Sequence, residues 1–139
     1  MTLLKRHDCH HNFLIMPVRT GKRVYLSGQT GTTLDGEFTG EGDPGAQAEQ
    51  AMANIEMLFN EAGATVNDIC KITTYIGDHA YRNDVYNVMG RWLKGVHPVG
   101  TGLIVNGFAS PRILVEIDVE AGFKPPASSN LQLILCNWF

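Results

Sequence analysis

The sequence predicts a single α+β domain in which two helices cover one face of a β-sheet. Within residues 44–62 and 79–94, apolar side chains recur at three- and four-residue steps, which is the spacing of an amphipathic helix. Segments rich in β-branched and aromatic residues, typical of strands, lie around these stretches. Each helix has one apolar face to bury, so both are expected to pack on the same side of the sheet and to leave the other side open.

The first elements are two strands joined by a tight turn. Residues 13–18 are apolar, and residues 22–27 follow after a Thr-Gly turn, so the two segments are predicted to form a hairpin. An Asp-Gly pair favours a second turn, after which residues 37–39 are a candidate short third strand. The glycine-rich stretch 40–45 is then a loop.

Both helices have start and stop signals. Asp43 is predicted to cap the first helix, with Pro44 at its first position and Gly63 at its end. Asp78 is predicted to cap the second helix, which Pro98 prevents from continuing. The apolar face of the first helix consists of Ala48, Ala51, Met52, Ile55, Leu58, Phe59 and Ala62, and that of the second consists of Tyr81, Val85, Val88, Met89, Trp92 and Leu93.

Three further strands are predicted at residues 69–76, 101–105 and 113–119, which gives the order β-β-(β)-α-β-α-β-β. In the last strand three apolar residues alternate with three acidic ones, so one face of that strand belongs to the core and the other is acidic. The six residues are Val115, Ile117 and Val119, and Glu116, Asp118 and Glu120. Residues 1–124 are assigned to one domain, and 125–139 to a C-terminal tail of unknown role.

Composition and charge exclude several classes of function. The formal net charge is −3 and no basic run is present, which argues against nucleic acid as a partner. No apolar stretch approaches the roughly 20 residues of a membrane span. The three cysteines are widely spaced, which favours a reducing cytoplasm over a disulfide framework. The His- and Cys-containing segment 7–11 is interpreted as a frayed terminus and not a metal site, and no cofactor is predicted.

Three blocks of sequence occur in the order and spacing of a known family. They are YLSGQ at residues 25–29, EAGA at 61–64 followed by DICKIT at 68–73, and LVEID at 114–118. Together they resemble the Rid (YjgF) family, whose members are also labelled L-PSP endoribonucleases or translation inhibitors. The resemblance implies a chorismate-mutase-like fold that assembles as a homotrimer and holds a small metabolite in clefts between subunits. An open sheet face that needs a partner agrees with that implication.

The resemblance also places the site, with one departure. In the deaminases of this family an arginine at the start of the penultimate strand binds the substrate carboxylate, and Gly100 stands at its position. Gly102 replaces a neighbouring cysteine, and Thr101 keeps a hydroxyl beside it. A tyrosine that often covers the site falls at Leu14, next to Phe13. Activity on carboxylate substrates such as 2-aminoacrylate is therefore expected to be low.

The remaining site positions carry over from the family pattern. Ser27 and Gln29 follow the early strand as substrate-binding candidates, and Glu116 on the last strand is the residue expected to orient a water. With Thr101 it forms the candidate catalytic pair. Two alternatives remain open: Glu116 belongs only to a polar sheet face, or Ser27 only serves the turn. The glycines at the arginine and cysteine positions also permit close approach of a backbone or ligand.

Three arginines are candidates to replace the missing cation: Arg23, Arg91 and Arg112. The simpler interpretation is that all three are solvated surface charges.

Two functions are nearly equally supported by the sequence. One is hydrolysis of a small imine or enamine, and the other is ligand binding or regulation without turnover. Endoribonuclease or translation-inhibitor activity is less favoured, because the acidic charge balance does not suit RNA.

Overall fold

The computed structural model describes Thr2–Leu3 and residues 17–123. The predictions made for Phe13, Leu14, the segment 7–11 and the tail 125–139 lie outside the described residues.

The predicted α+β architecture is confirmed: two helices pack against a mixed sheet. The strands are β1 (Thr2–Leu3), β2 (Val18–Thr20), β3 (Arg23–Tyr25), β4 (Ile69–Ile76), β5 (Val99–Ile104) and β6 (Val115–Gly122). Their order across the sheet is β1-β2-β3-β6-β4-β5, in which β4 and β5 are parallel and all other neighbours are antiparallel. The last strand along the chain therefore lies in the middle of the sheet, and β5 forms an edge.

The third strand predicted at residues 37–39 does not form within the described chain. Phe38 makes only an isolated bridge with Thr32, because a tight turn closes the segment at once: Thr33 N–H donates to the Glu37 carbonyl at 2.7 Å. The predicted strand is therefore wrong, because a single bridge across a turn is too short to count as a strand.

The helices are α1 (Pro44–Glu61) and α2 (Arg82–Trp92). The Asp43 carboxylate accepts a hydrogen bond from the Ala46 N–H at 2.9 Å, which confirms the predicted cap of α1. Asp78 caps a single 3₁₀ turn, His79–Tyr81, through the Ala80 N–H at 2.8 Å. The helix proper begins only after this turn, three residues later than predicted.

The core lies between the two helices and one face of the sheet. Met52, Ile55 and Phe59 of α1 are fully buried, and so is Ile117 of the central strand β6. Burial alternates strictly along β6, as the sequence pattern predicts.

A buried polar residue, Gln47, connects this core to two loops. Its amide nitrogen donates to the carbonyls of Gly40 and Arg112 at 2.9 Å, and its amide oxygen accepts from the Leu114 N–H at 2.8 Å. These bonds satisfy the buried amide and fix the loop between β5 and β6.

No described element covers the opposite, open face of the sheet. The strand registers arrange its side chains in three rows of neighbours: Glu116, Tyr75 and Leu103; Asp118, Thr73 and Thr101; Glu120, Lys71 and Val99. The β5 residues of this face are exposed, Val99 at 72% and Leu103 at 45%. Neither of the described helices is long and apolar enough to cross a bilayer.

Candidate functional site

A cleft of about 490 Å³ opens on the uncovered face, where the end of β3, the strands β4 and β6, and the loop after β5 meet. This volume is within the range of small-molecule sites. The lining residues are Ser27, Gly28, Tyr75, Val105, Gly107, Phe108, Ala109, Glu116 and Asp118.

The Glu116 carboxyl group occupies the space above Gly28. A Cβ atom at residue 28 would collide with Glu116 Oε1 and would lie 2.7 Å from its Cγ, so only glycine leaves this position of the carboxyl group free. The backbone holds the two elements together, because Gln29 and Ile117 exchange two hydrogen bonds of 2.8 Å. The Ser-Gly-Gln block thus has a physical reason: its glycine makes room for the acid on the facing strand.

Both carboxyl groups of the cleft are harder to ionise than usual. Burial raises the pKa of Glu116, and the neighbouring charge of Asp118 adds to the shift. Burial also raises the pKa of Asp118, with a further contribution from Glu120, while Lys71 and the Val119 backbone act in the opposite direction. A carboxyl group with a raised pKa in a cleft is suited to proton transfer near neutral pH.

Ser27 lines the cleft with a hydroxyl oxygen that is shielded from solvent. Within the described chain this oxygen has no hydrogen-bond partner, which is unusual for a buried polar atom. Gln29 lies behind it: its side chain is buried, and its amide donates to the Ser27 carbonyl at 3.0 Å. Gln29 therefore positions the Ser27–Gly28 backbone and does not line the cleft.

Sequence reasoning missed Tyr75 and the loop residues Val105, Phe108 and Ala109. The signal for Tyr75 was present, because β4 alternates and places Tyr75 opposite its buried neighbours Thr74 and Ile76. No local pattern identifies the loop residues, since they meet Ser27 and Glu116 only in the folded chain.

The candidates on β5 lie away from the cleft of their own chain. Thr101 faces the open side, but two strand spacings, roughly 10 Å, separate it from Asp118. Gly100 and Gly102 are paired with the core-facing residues Ile72 and Thr74, so a side chain at either position would point to the helix side. Their assignment to a ligand site stays a prediction.

The structure identifies what approaches Gly102 closely. A Cβ atom at this position would collide with the Tyr86 hydroxyl of α2 and would lie 3.4 Å from Tyr86 Cζ. The glycine therefore permits a contact between the edge strand and a helix. At Gly100, by contrast, the nearest atom to a Cβ would be Ile72 Cγ2 at 3.8 Å, an ordinary contact.

None of the three candidate replacement arginines lines the cleft. Arg112 pairs with Glu41, its Nε lying 2.7 Å from Oε2, and covers the Phe38 ring at 4.3 Å. Arg91 bonds Glu49 at 3.2 Å on the helical side. Arg23 is fully exposed on β3, where the Tyr25 hydroxyl raises its pKa. Within residues 17–123, the simpler interpretation of these arginines as surface charges fits their positions.

Comparison with known proteins identifies the family. A sequence model of the family described as endoribonuclease L-PSP matches residues 9–122. The chain belongs to this family, which is also called Rid or YjgF.

Individual L-PSP relatives agree in sequence and fold. A RutC family protein of Pyrococcus abyssi is 36% identical over 76 residues, which is 50% of this chain and 58% of that protein. A member of the YjgF/YER057c/UK114 family from Mycobacterium tuberculosis is 30% identical, with a TM-score of 0.69 over 77% of this chain and 84% of its own. A Rid family protein of unknown function, YyfA from Yersinia pestis, is 28% identical, with a TM-score of 0.72 over 77% and 85%.

The described cleft of this L-PSP family chain contains groups of the kind that take part in acid–base chemistry. Within residues 17–123 no three His, Cys, Asp or Glu side chains are grouped as a metal would require. The described cleft thus offers two carboxyl groups, a hydroxyl without a partner and aromatic surface. Such a set can hold a small molecule and move a proton to or from water.

Proposed function

We propose that this chain hydrolyses a small imine or enamine in the cleft beside Glu116, as a subunit of a cytoplasmic homotrimer. One observation carries the proposal: a glycine across the cleft leaves room for the Glu116 carboxyl group, whose pKa is raised by burial. That arrangement supports a general acid–base role over a merely polar sheet face, because a solvated surface acid needs no such space.

The reaction uses one water and returns Glu116 to its starting state. The water oxygen forms a bond to the imine carbon, and its proton passes to Glu116 and then to the nitrogen, which gives a carbinolamine. The hydroxyl proton of the carbinolamine then passes through Glu116 to the nitrogen, the C–N bond breaks, ammonia leaves and a carbonyl compound remains. Ser27 and Tyr75 are placed to hold the substrate, and Phe108 supplies apolar surface on the cleft wall.

The exposed apolar residues on the open face support self-association. Val99 and Leu103 are the edge-strand members of two of the three rows on this face, and exposed apolar edges are commonly covered by a partner. Because the resemblance implies clefts between subunits, we propose that a trimer places Thr101, on the open face of β5, beside the cleft of another chain, with the backbone of Gly100 and Gly102 next to it. Multi-angle light scattering should give a mass three times that of the chain, and a monomer at micromolar concentration would contradict this part of the proposal.

The exposed free thiol of Cys70 supports the cytoplasmic placement, because an exposed thiol persists best in a reducing compartment.

Binding without turnover is the second candidate, favoured by the composition of the cleft wall. No Lys or Arg is among its described residues, so nothing there pairs with a substrate carboxylate. Endoribonuclease activity is disfavoured by Glu116, Asp118 and Glu120, which share this face and repel phosphates.

Hydrolysis of imines generated in situ tests the proposal. Imines made from short amines by an amine oxidase are supplied to the protein, and their disappearance is compared with that in buffer. Glu116→Gln should lower the enzyme-dependent rate by about a hundredfold, as loss of a general acid–base group does. Glu56→Gln, on the exposed side of α1, is the charge-matched control and should retain the full rate. Turnover that survives Glu116→Gln would overturn the role of Glu116, and no turnover in the wild type would leave binding as the function.

A further inference from the structure

The charges that line the cleft are all of one sign. Glu116 and Asp118 occupy alternate positions of β6, so their side chains share one face at a spacing of roughly 7 Å. No Lys, Arg or His is among the described lining residues. Whichever of the two carboxyl groups is ionised therefore acts on a bound ligand without a neutralising cation among the described residues of the wall.

Two described cations on elements that border the cleft are paired with acids outside it. Lys71, on the same face, lies 3.6 Å from Glu120, one row beyond Asp118. Arg112 follows the loop that forms the cleft wall, but its guanidinium is turned to Glu41. Both described cations thus make their ion pairs outside the cleft, although Lys71 is near enough to oppose the rise in the pKa of Asp118.

A second, independent feature indicates a polar ligand. The Ser27 hydroxyl is shielded in the cleft wall without a partner among the described residues, although its oxygen can both donate and accept. A buried hydroxyl without a hydrogen bond lowers the stability of the fold unless a ligand forms that hydrogen bond. The remaining wall, with the Tyr75 and Phe108 rings and Val105, is suited to a short apolar or flat group.

We infer that the cleft selects a small molecule with a positively charged nitrogen, a protonated amine or iminium on a short apolar group, and rejects carboxylates. The inference rests on the proposed function in taking this cleft as the site, but it names a substrate class that the family resemblance does not. An anionic wall attracts the cation and repels the carboxylate, and aromatic rings in the wall are compatible with a cation. Gly100 then reflects a site that does not use an arginine.

An iminium also fits the proposed reaction. Its carbon is more electrophilic than that of a neutral imine, and water adds to it as one proton passes to Glu116, which gives a neutral carbinolamine. Glu116 returns this proton to the nitrogen, the C–N bond breaks as the hydroxyl proton passes through Glu116 to the departing ammonia, and a carbonyl compound and an ammonium ion remain. The positive charge that enters with the iminium therefore leaves with the ammonium ion.

Three probes with one ring and different charge test the selection: benzylamine, benzyl alcohol and benzoate. Isothermal titration of the full chain should show benzylamine binding at least tenfold more tightly than benzoate, with benzyl alcohol between them. Asp118→Asn should reduce the preference for benzylamine over benzoate at least threefold. Glu56→Gln removes the same charge from the solvent face of α1 and should keep the preference.

Benzoate binding as tightly as benzylamine would overturn the inference, and so would the absence of binding by every probe at millimolar concentration. These outcomes are separate from a failure of the proposed function, which appears as missing or Glu116-independent imine hydrolysis. Ser27→Ala gives a further check: it should weaken benzyl alcohol and benzylamine alike, because the hydroxyl bonds both, and a variant with unchanged affinity for both would remove Ser27 from the site.

Discussion

The two faces of one sheet differ in what their residues do. On the helix side, Ile72, Ile76 and Ile117 are at most 4% exposed and pack against α1 and α2. On the open side, the same strands present Tyr75 and Glu116 to the cleft. Successive residues of β4 and β6 therefore alternate between the core face, where they contribute to stability, and the open face, because side chains alternate across a strand.

The face on which a residue lies therefore predicts whether its substitution affects stability or function. A change on the helix side should alter the free energy of unfolding, whereas a change on the open side should alter binding or turnover with little loss of stability. The tests below run from the largest expected effect to the smallest.

Ile117→Ala should have the largest effect on stability. The side chain is fully buried at the centre of the sheet, and its truncation should lower the free energy of unfolding by about 2–5 kcal/mol through lost burial and a residual cavity. Urea denaturation measures the change. Met57→Ala is the control, because Met57 is 43% exposed on α1 and should cost about 1 kcal/mol or less. Equal losses in both variants would contradict the assignment of the core to this face.

Gly102→Ala should destabilise the chain by about 1–3 kcal/mol, because its Cβ collides with the Tyr86 hydroxyl. Tyr86→Phe removes the colliding atom, so in that background the same substitution should cost about 1 kcal/mol less or become neutral. A double-mutant cycle by urea denaturation measures the coupling. Additive effects of the two substitutions would show that the ring does not constrain Gly102, and the position would then be free for a ligand.

Much of the fold could be predicted from the sequence, because periodicity, caps and strand composition are local signals. The limits of β4, the Asp43 cap and the acid–apolar alternation of β6 all follow from such signals. The central place of β6 in the sheet does not, since pairing depends on contacts distant in sequence.

Less of the candidate site could be predicted. Ser27 and Glu116 were found through the family blocks, but the reason that Gly28 lies between them appears only when β6 faces the turn after β3. Phe108 reaches the cleft from a loop whose end is bonded by Gln47 at Arg112 and Leu114, and the sequence shows Gln47 only as a polar residue in a helix. Contacts of this kind have no signature in one chain segment.

The pH dependence of stability gives a smaller effect with a definite sign. The raised pKa of Glu116 means that the native state binds its proton more tightly than the unfolded chain, whose carboxyl group has the ordinary pKa near 4.5. Stability from this group is therefore complete below that value and is lost as the pH rises towards the native pKa. The side chain of Glu116→Gln does not ionise, so the variant does not lose this stability. The difference in free energy of unfolding between the variant and the wild type should therefore grow in favour of the variant as the pH rises through this window, and then stay constant.

Urea denaturation from about pH 4 to 8 measures this difference. Glu56→Gln is again the charge-matched control. If the advantage of Glu116→Gln shrinks as the pH rises, the carboxyl group ionises more easily in the folded chain than outside it, and its role as a half-buried acid–base group is wrong.

The central claim is that the space over Gly28 holds the Glu116 carboxyl group in the position that function requires. The most direct test of this claim is the imine hydrolysis rate of Gly28→Ala. The methyl group would lie 2.6 Å from Cδ and 2.7 Å from Cγ of Glu116, so it displaces most of that side chain. The free energy of unfolding should fall by about 1–3 kcal/mol, and the rate should fall at least tenfold. Gly90→Ala makes the same chemical change where α2 leaves open space and should keep the wild-type rate. A Gly28→Ala variant that folds normally and hydrolyses imines at the wild-type rate would contradict the account.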